Sequence, residues 1–299
     1  MHRVFVTGGT GFVGRTLIQA LRAEGHVVRC LVRRGSEHDL RGFEAIERVE
    51  GDVLARASLD EAMSGCDAVV HLVGIIREHP ARGISFERLH VDATLNILAA
   101  ATTVGVRRLL HMSALGARPD ARARYHRTKW RAEEAVRSSG LDWTIFRPSI
   151  IYGPDDGFVT TLARVVRRLP VVPVIGSGNT RLQPVPAQTV AEGFARALAQ
   201  AASLGQTYEV GGPEPHTLNE IIDLLGEILK RRKVRKVHVP FPLVWRLALV
   251  LQDLPFFPVT TDQLLMLEED NVCDPTPFYR TFGLSPVPLA KGLERMLVP

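Results

Sequence analysis

The sequence is poor in cysteine, in aromatic side chains and in long apolar runs, and each shortage removes a class of protein. Cys30, Cys66 and Cys273 are odd in number, far apart and outside any C-x-x-C spacing. Neither a disulfide framework nor a zinc site is therefore expected, and a reducing cytosol fits. No uninterrupted apolar stretch reaches the roughly 18 residues of a spanning helix, and the first strand follows Met1 with no room for a signal peptide. Aromatics make up 6% and the net charge is a modest +5, without the basic stripe and aromatic ladder that a nucleic acid would need. Internal repeats and low-complexity tracts are missing as well. What remains, 299 residues at 45% hydrophobic content, can bury a large core in one large or two unequal domains.

The most informative feature stands at the start. Arg3-Val4-Phe5-Val6 reads as a strand and runs into Thr7-Gly8-Gly9-Thr10-Gly11-Phe12-Val13-Gly14, followed by an apolar helical run that stops at Gly25. Gly8 and Gly11 suit a tight turn close to a pyrophosphate, Gly14 suits close helix packing, and the helix start offers free N–H groups to phosphate. About 20 residues on, where an acid would hold the ribose 2′-hydroxyl of NAD, the second strand ends instead in Arg33-Arg34-Gly35-Ser36. Two guanidiniums and a hydroxyl suit a 2′-phosphate, so NADP(H) is preferred, with NAD(H) as the alternative.

Short apolar strands then keep alternating with amphipathic helices, the rhythm of an α/β Rossmann fold with a doubly wound parallel sheet. Residues 49–53 close a third strand, Ser58 with Glu61 reads as a capping box, and residues 67–74 form a fourth strand with its exit loop. A long helix over residues 86–104 feeds a strand at 108–113. A helix containing Tyr125 and Lys129 follows, then a strand at 143–148. Residues 1–152 are expected to form the NAD(P)-binding core. Residues 153–299, broken by prolines, form mainly a smaller C-terminal substrate-side subdomain, with segments inside 182–212 returning to the core.

Tyr125 and Lys129 carry the chemistry. Their spacing of four puts both on one helical face, with the ammonium near the phenol. A phenol of pKa about 10 is a poor acid-base group at neutral pH, and an adjacent cation favours its ionised form. On that reading Tyr125 passes a proton to or from a substrate oxygen.

Taken together, these motifs resemble the extended or atypical branch of the short-chain dehydrogenase/reductases over nearly the whole chain. The carriers are the glycine turn, Gly51-Asp52-Val53, His71-Leu72-Val73-Gly74, Tyr125-His126-Arg127-Thr128-Lys129, residues 147–154 and residues 181–185. Residues 141–148 and 152–158 look most like the subgroup that contains the nucleotide-binding accessory subunit of respiratory complex I and its bacterial relatives. The resemblance implies that Tyr125, Lys129 and Ser113 form the catalytic set and that Lys129 also holds the nicotinamide ribose. It further implies that Asp52 and Val53 flank the adenine, with Val73, Gly74 and Pro148 near the nicotinamide. Residues 90–94 occupy the stretch where the family reads Asn-Val-x-Gly-Thr, so His90 replaces the Asn. Arg181 matches a position that contacts phosphorylated substrates in relatives, or forms a surface salt bridge.

Two functions follow from that resemblance. One is an NADP(H)-dependent oxidoreductase acting on a carbonyl or an apolar quinone-like or isoprenoid-like substrate. The other is a non-catalytic NADPH-binding subunit of a respiratory or quinone-linked complex; a sugar-nucleotide epimerase or dehydratase is a weaker third. Residues 230–257 combine a basic run with an apolar, tryptophan-bearing segment. That combination suits a lid, or peripheral contact with a membrane or respiratory complex by a cytoplasmic protein at the inner face of the membrane.

Overall fold

Seven parallel strands form one sheet in the computed structural model, which describes residues 1–36, 40, 42, 43, 45–230, 234–254 and 257–298. The strands are β1 (Arg3–Thr7), β2 (Val27–Val32), β3 (Glu47–Glu50), β4 (Ala68–His71), β5 (Arg108–Met112), β6 (Asp142–Pro148) and a seventh, Gln206–Val210. Their spatial order is β3-β2-β1-β4-β5-β6, with Gln206–Val210 beside β6. The order reverses between β1 and β4, which opens a crevice at the carboxyl ends of those two strands. The inner strands β1, β2 and β4 read as mainly apolar runs because both faces of the sheet are covered there, while the edge strand β3 is Glu-Arg-Val-Glu.

On one face lie α1 (Phe12–Ala23) and the helix Ala187–Ala197, packed through Leu17, Ile18, Leu21, Val190 and Phe194. On the other lie α2 (Leu59–Met63), α3 (Ala93–Val104) and α4 (Arg124–Arg137), packed on Phe5, Val69, Leu109 and Ile145. A third cluster joins Val159, Val166, Ile221, Leu225 and Leu293 from the helices Val159–Arg168, Leu218–Ile228 and Leu289–Leu297. A fourth, smaller one is built from Val244, Ala248 and Leu264.

Several local expectations are corrected. Ser58 does not cap a helix. Its backbone is already helical within the short turn Arg56–Ser58, and its hydroxyl donates back to the Ala55 carbonyl at 2.8 Å. The helix expected over 86–104 forms without a break, but its first part, Glu87–Asp92, is π-helical before it runs into α3. Of the returning segments, the strand Gln206–Val210 and the helix Ala187–Ala197 lie on the main sheet. Arg181–Leu182 and Val185–Pro186 pair outside that sheet, in two-residue ladders with His216–Thr217 and Ile151–Tyr152, while Val185 packs into the core on the α1 face. Pro184 cannot donate to a ladder, and Gln183 and Pro184 separate the two short strands. Arg231, Arg232 and Lys233 of the basic run, and Pro255 and Phe256 after the apolar helix, lie outside the described residues.

Candidate cofactor and active site

The glycine turn closes the crevice floor. Gly8 has φ of +76°, a left-handed conformation that favours glycine, and its carbonyl accepts from the Gly11 amide at 3.1 Å. A methyl group on Gly14 would stand 2.6 Å from the Gly9 Cα, so α1 reaches this depth only because position 14 has no side chain. Gly11 is the N-cap of α1, no side chain caps this helix, and its first N–H groups face the turn. Thr10 and Phe12 are half-buried and Val13 is buried.

At the end of β2 and β3 a cavity of about 610 Å³ is lined by Arg33, Arg34, Ser36, Glu50, Gly51, Asp52, Ala55 and Ser58. Arg33 and Arg34 are exposed, and Arg34 lies 3.9 Å from Glu50 with both side chains in solvent. The Asp52 carboxylate accepts from the Leu54 amide at 2.8 Å, and Val53 is buried. A larger cavity of about 770 Å³, around Gln183, Cys273, Tyr279 and Arg280, shares no residue with this one or with the glycine turn.

The other end of the crevice is built by β4, β5 and α4. Lys129 is buried, and its ammonium donates to the Met112 carbonyl at 2.7 Å rather than to the phenol. Burial pulls its pKa down to about 8, against an opposing pull from Glu133 one turn on. A Cβ built on Gly74 would lie 3.4 Å from the Lys129 Nζ and 3.7 Å from His90 Nε2, so position 74 leaves a cradle beside the ammonium. Val73 is half-buried and Pro148 is buried. The Ser113 hydroxyl, immediately after β5, is buried and has no hydrogen-bond partner among the described residues.

Tyr125 is half-buried at the first turn of α4, with edge-on ring contacts to Phe86, His90 and His126. The expected depression of its pKa is overturned. Burial, aided by the Asp262 carboxylate, pushes the phenol up to about 12. His90 is 1% exposed and satisfied: Nδ1 meets Thr128 Oγ1 at 2.8 Å, and Nε2 lies 3.1 Å from the Ile75 amide nitrogen. Arg181 forms a salt bridge at 2.7 Å with Asp270, the surface alternative.

Three groups around α4 had no local signal in the sequence. Asp262, 137 residues beyond Tyr125, accepts from the Arg124 amide at 2.6 Å and the Tyr125 amide at 3.0 Å. Glu78 accepts from the Arg124 guanidinium at 2.8 Å. His71 and His111 stand opposite each other on β4 and β5, both 1% exposed. Thr7 Oγ1 meets His71 Nδ1 at 2.7 Å, while both ring nitrogens of His111 lack a partner among the described residues.

Residues 8–201 match a family model described as NAD(P)H-binding. The chain is 32% identical over 278 residues to the mitochondrial "NADH dehydrogenase [ubiquinone] 1 alpha subcomplex subunit 9" of Arabidopsis thaliana, covering 89% of this chain and 68% of that protein. The chain belongs to the atypical short-chain dehydrogenase/reductases. It is also 31% identical over 261 residues to a 4-hydroxy-2-methyl-3-oxo-4-farnesyl-3,4-dihydroquinoline-1-oxide ketoreductase of Stigmatella aurantiaca, covering 80% of this chain and 76% of that one. In fold it is similar to a UDP-glucose 4-epimerase of Thermotoga maritima, with a TM-score of 0.77 at 20% identity, covering 98% and 97% of the two chains. That likeness concerns the fold alone.

Proposed function

We propose that this protein is an NADPH-dependent reductase of a carbonyl on an apolar, isoprenoid-like or quinone-like substrate. The crevice fits a dinucleotide on three counts: the glycine turn under open helix N–H groups, the arginine-lined cavity, and the cradle at Gly74. Gly8, Gly11 and Gly14 would hold the pyrophosphate; Arg33, Arg34 and Ser36 the 2′-phosphate; Asp52 and Val53 the adenine. Val73, Gly74, Pro148 and Lys129 would hold the nicotinamide end.

NADPH held by these residues would supply the hydride that the carbonyl carbon accepts. Tyr125 supplies the proton to the carbonyl oxygen, and the product is an alcohol. The observation that carries this reading is the placement of Tyr125 on the first turn of α4, one helical turn from the buried Lys129 whose ammonium lies beside the Gly74 cradle. The phenol is protonated at neutral pH and so is able to donate. Ser113, with its buried hydroxyl free, would accept or donate at the same oxygen. Lys129 stands one helical turn from Tyr125 and holds the ribose. The similar Stigmatella aurantiaca ketoreductase, whose name carries a farnesyl group, supports an apolar substrate.

The test is Tyr125→Phe. Carbonyl reduction should fall by at least about 100-fold, while NADPH affinity measured by fluorescence titration changes less than about twofold. Undiminished turnover in Tyr125→Phe removes the assigned role. The second reading, an NADPH-holding subunit that does not turn over, is favoured by similarity to the complex I subunit. Tight NADPH binding with no wild-type turnover across carbonyl and quinone panels would select it.

A further inference from the structure

The helix Phe241–Leu251 buries only Val244 and Ala248 fully. Leu243, Leu247 and Val250, with Leu254 beyond the helix end, recur at spacings of four, three and four and remain exposed, Val250 to 78%. They form one aliphatic stripe on a helix about 16 Å long, well short of a bilayer core of about 30 Å. No described helix is long and apolar enough to cross a membrane. From Lys230 to Leu254 the charged side chains are basic apart from the exposed Asp253. Arg246 is exposed and neighbours Leu243 and Val250 on the helix, and Arg235 is exposed on the strand before it; Lys236 is paired with Asp223.

The same helix is tied to the tyrosine. Arg77, in the loop after Gly74, donates to the carbonyls of Gln252 and Phe257 at the helix end. The Gln252 side chain accepts from both the amide and the hydroxyl of Thr261 at 3.0 Å. The next residue, Asp262, caps α4 at Arg124 and Tyr125, where the N-cap residue Ala123 has no side chain to do so. Glu78, beside Arg77, holds Arg124 from the other side.

We propose that the stripe docks on an anionic bilayer surface, and that Asp262 and Arg77 strap the docked helix to the turn carrying Tyr125. The inference rests on the reductase reading and adds the surface from which its apolar substrate arrives. Mainly basic charge beside continuous aliphatic area matches acidic headgroups over acyl chains. Arg77 and Asp262 grip the loop after β4 and the first turn of α4, so a shift of the docked helix is felt at both walls of the site.

The experiment uses the NADPH-loaded protein and vesicles of phosphatidylcholine with phosphatidylglycerol. Co-sedimentation is expected at low salt and should fall as salt rises. Leu247→Asp with Val250→Asp, both at exposed positions, should lower partitioning at least about tenfold with thermal stability unchanged. Docking should change amide exchange at Arg124 and Tyr125 in the wild type. Asp262→Ala should still sediment but lose that response, and Asp262→Asn, which keeps one carbonyl acceptor, should retain part of it. No sedimentation at low salt, equal sedimentation of the double variant, or unchanged exchange on docking would each overturn the proposal. Reduction of a water-soluble ketone in vesicle-free buffer reports the reductase reading separately.

Discussion

The imidazole of His90 and the hydroxyl of Thr128 meet at 2.8 Å, joining the π-helical turn before α3 to the second turn of α4. Thr128 also donates to the carbonyl of Tyr125 or Arg124, at 2.9 and 3.0 Å. His90 therefore bridges two elements, with Nδ1 on the Thr128 hydroxyl and Nε2 at 3.1 Å from both the amide nitrogen and the carbonyl oxygen of Ile75. His90→Ala leaves the Ile75 amide and a buried cavity uncompensated. A loss of about 2–4 kcal/mol is expected in urea unfolding. A loss below about 0.5 kcal/mol would show that the ring bears no structural load.

Acid stability follows from the histidine row. Burial holds His71 down to about 3 and His90 to about 2, and holds His111 well below its ordinary 6.5, each with a further push from Lys129. The unfolded chain takes up these protons below about pH 6.5 while the folded chain refuses them, so their contribution is full above 6.5 and is lost as pH falls towards 3. Three such groups give a slope of about 4 kcal/mol per pH unit at most. Stability measured between pH 7 and pH 5 should drop steeply, and His111→Leu should flatten the slope by about a third. A pH-independent stability over that range is the contrary result.

Cofactor choice is expected to follow the arginine-lined cavity. Each charge-assisted bond to a phosphate contributes about 1.5–3 kcal/mol, so NADPH should bind at least roughly tenfold tighter than NADH. Arg33→Asp should reverse the preference. Glu50→Gln, which removes the acid beside Arg34, should tighten NADPH alone. Equal affinities for the two nucleotides in the wild type would end this reading.

Glu133 anchors α4 to the sheet. It is fully buried, accepts from Arg147 at 2.8 and 2.6 Å and from Arg137 at 2.6 Å, and both guanidiniums lie over the Trp130 ring. Glu133→Ala strands a half-buried guanidinium on β6, for an expected loss of about 3–5 kcal/mol. Glu133→Gln, which keeps the acceptor geometry at one oxygen, should recover part of it. Thermal unfolding of the two variants separates charge from shape.

Much of the sheet was legible in the sequence because its inner strands are local, mainly apolar runs bounded by turn residues. The glycine turn was legible because close approach forbids side chains at fixed spacings. The failures have physical causes of their own. Ser58 and Glu61 satisfy the spacing of a capping box, but a 3-10 turn ahead of them had already made the backbone helical. Tyr125 and Lys129 share a helical face as expected. Yet Lys129 turned to a backbone carbonyl, and the burial of the phenol outweighed any help from the cation. Asp262 and Glu78 reach α4 across 137 and 46 residues, and no window of sequence contains both partners of such a pair.

The placement of Gln206–Val210 against β6 bears on how this chain is born. Phe146 on β6 is shielded by the rings of Phe194, Tyr208, Phe278 and Phe282, at centroid separations of 4.2, 6.0, 6.1 and 5.6 Å. A ribosome that has made the first six strands has therefore released a sheet whose β6 edge is still open and whose Phe146 is uncovered. The edge waits for Gln206–Val210, which begins 58 residues past Pro148, and the last of the rings over Phe146, that of Phe282, stands 134 residues past Pro148. The nascent chain is exposed to aggregation over that interval, and a chaperone that binds bare aromatic edges would find its longest-lived target at β6.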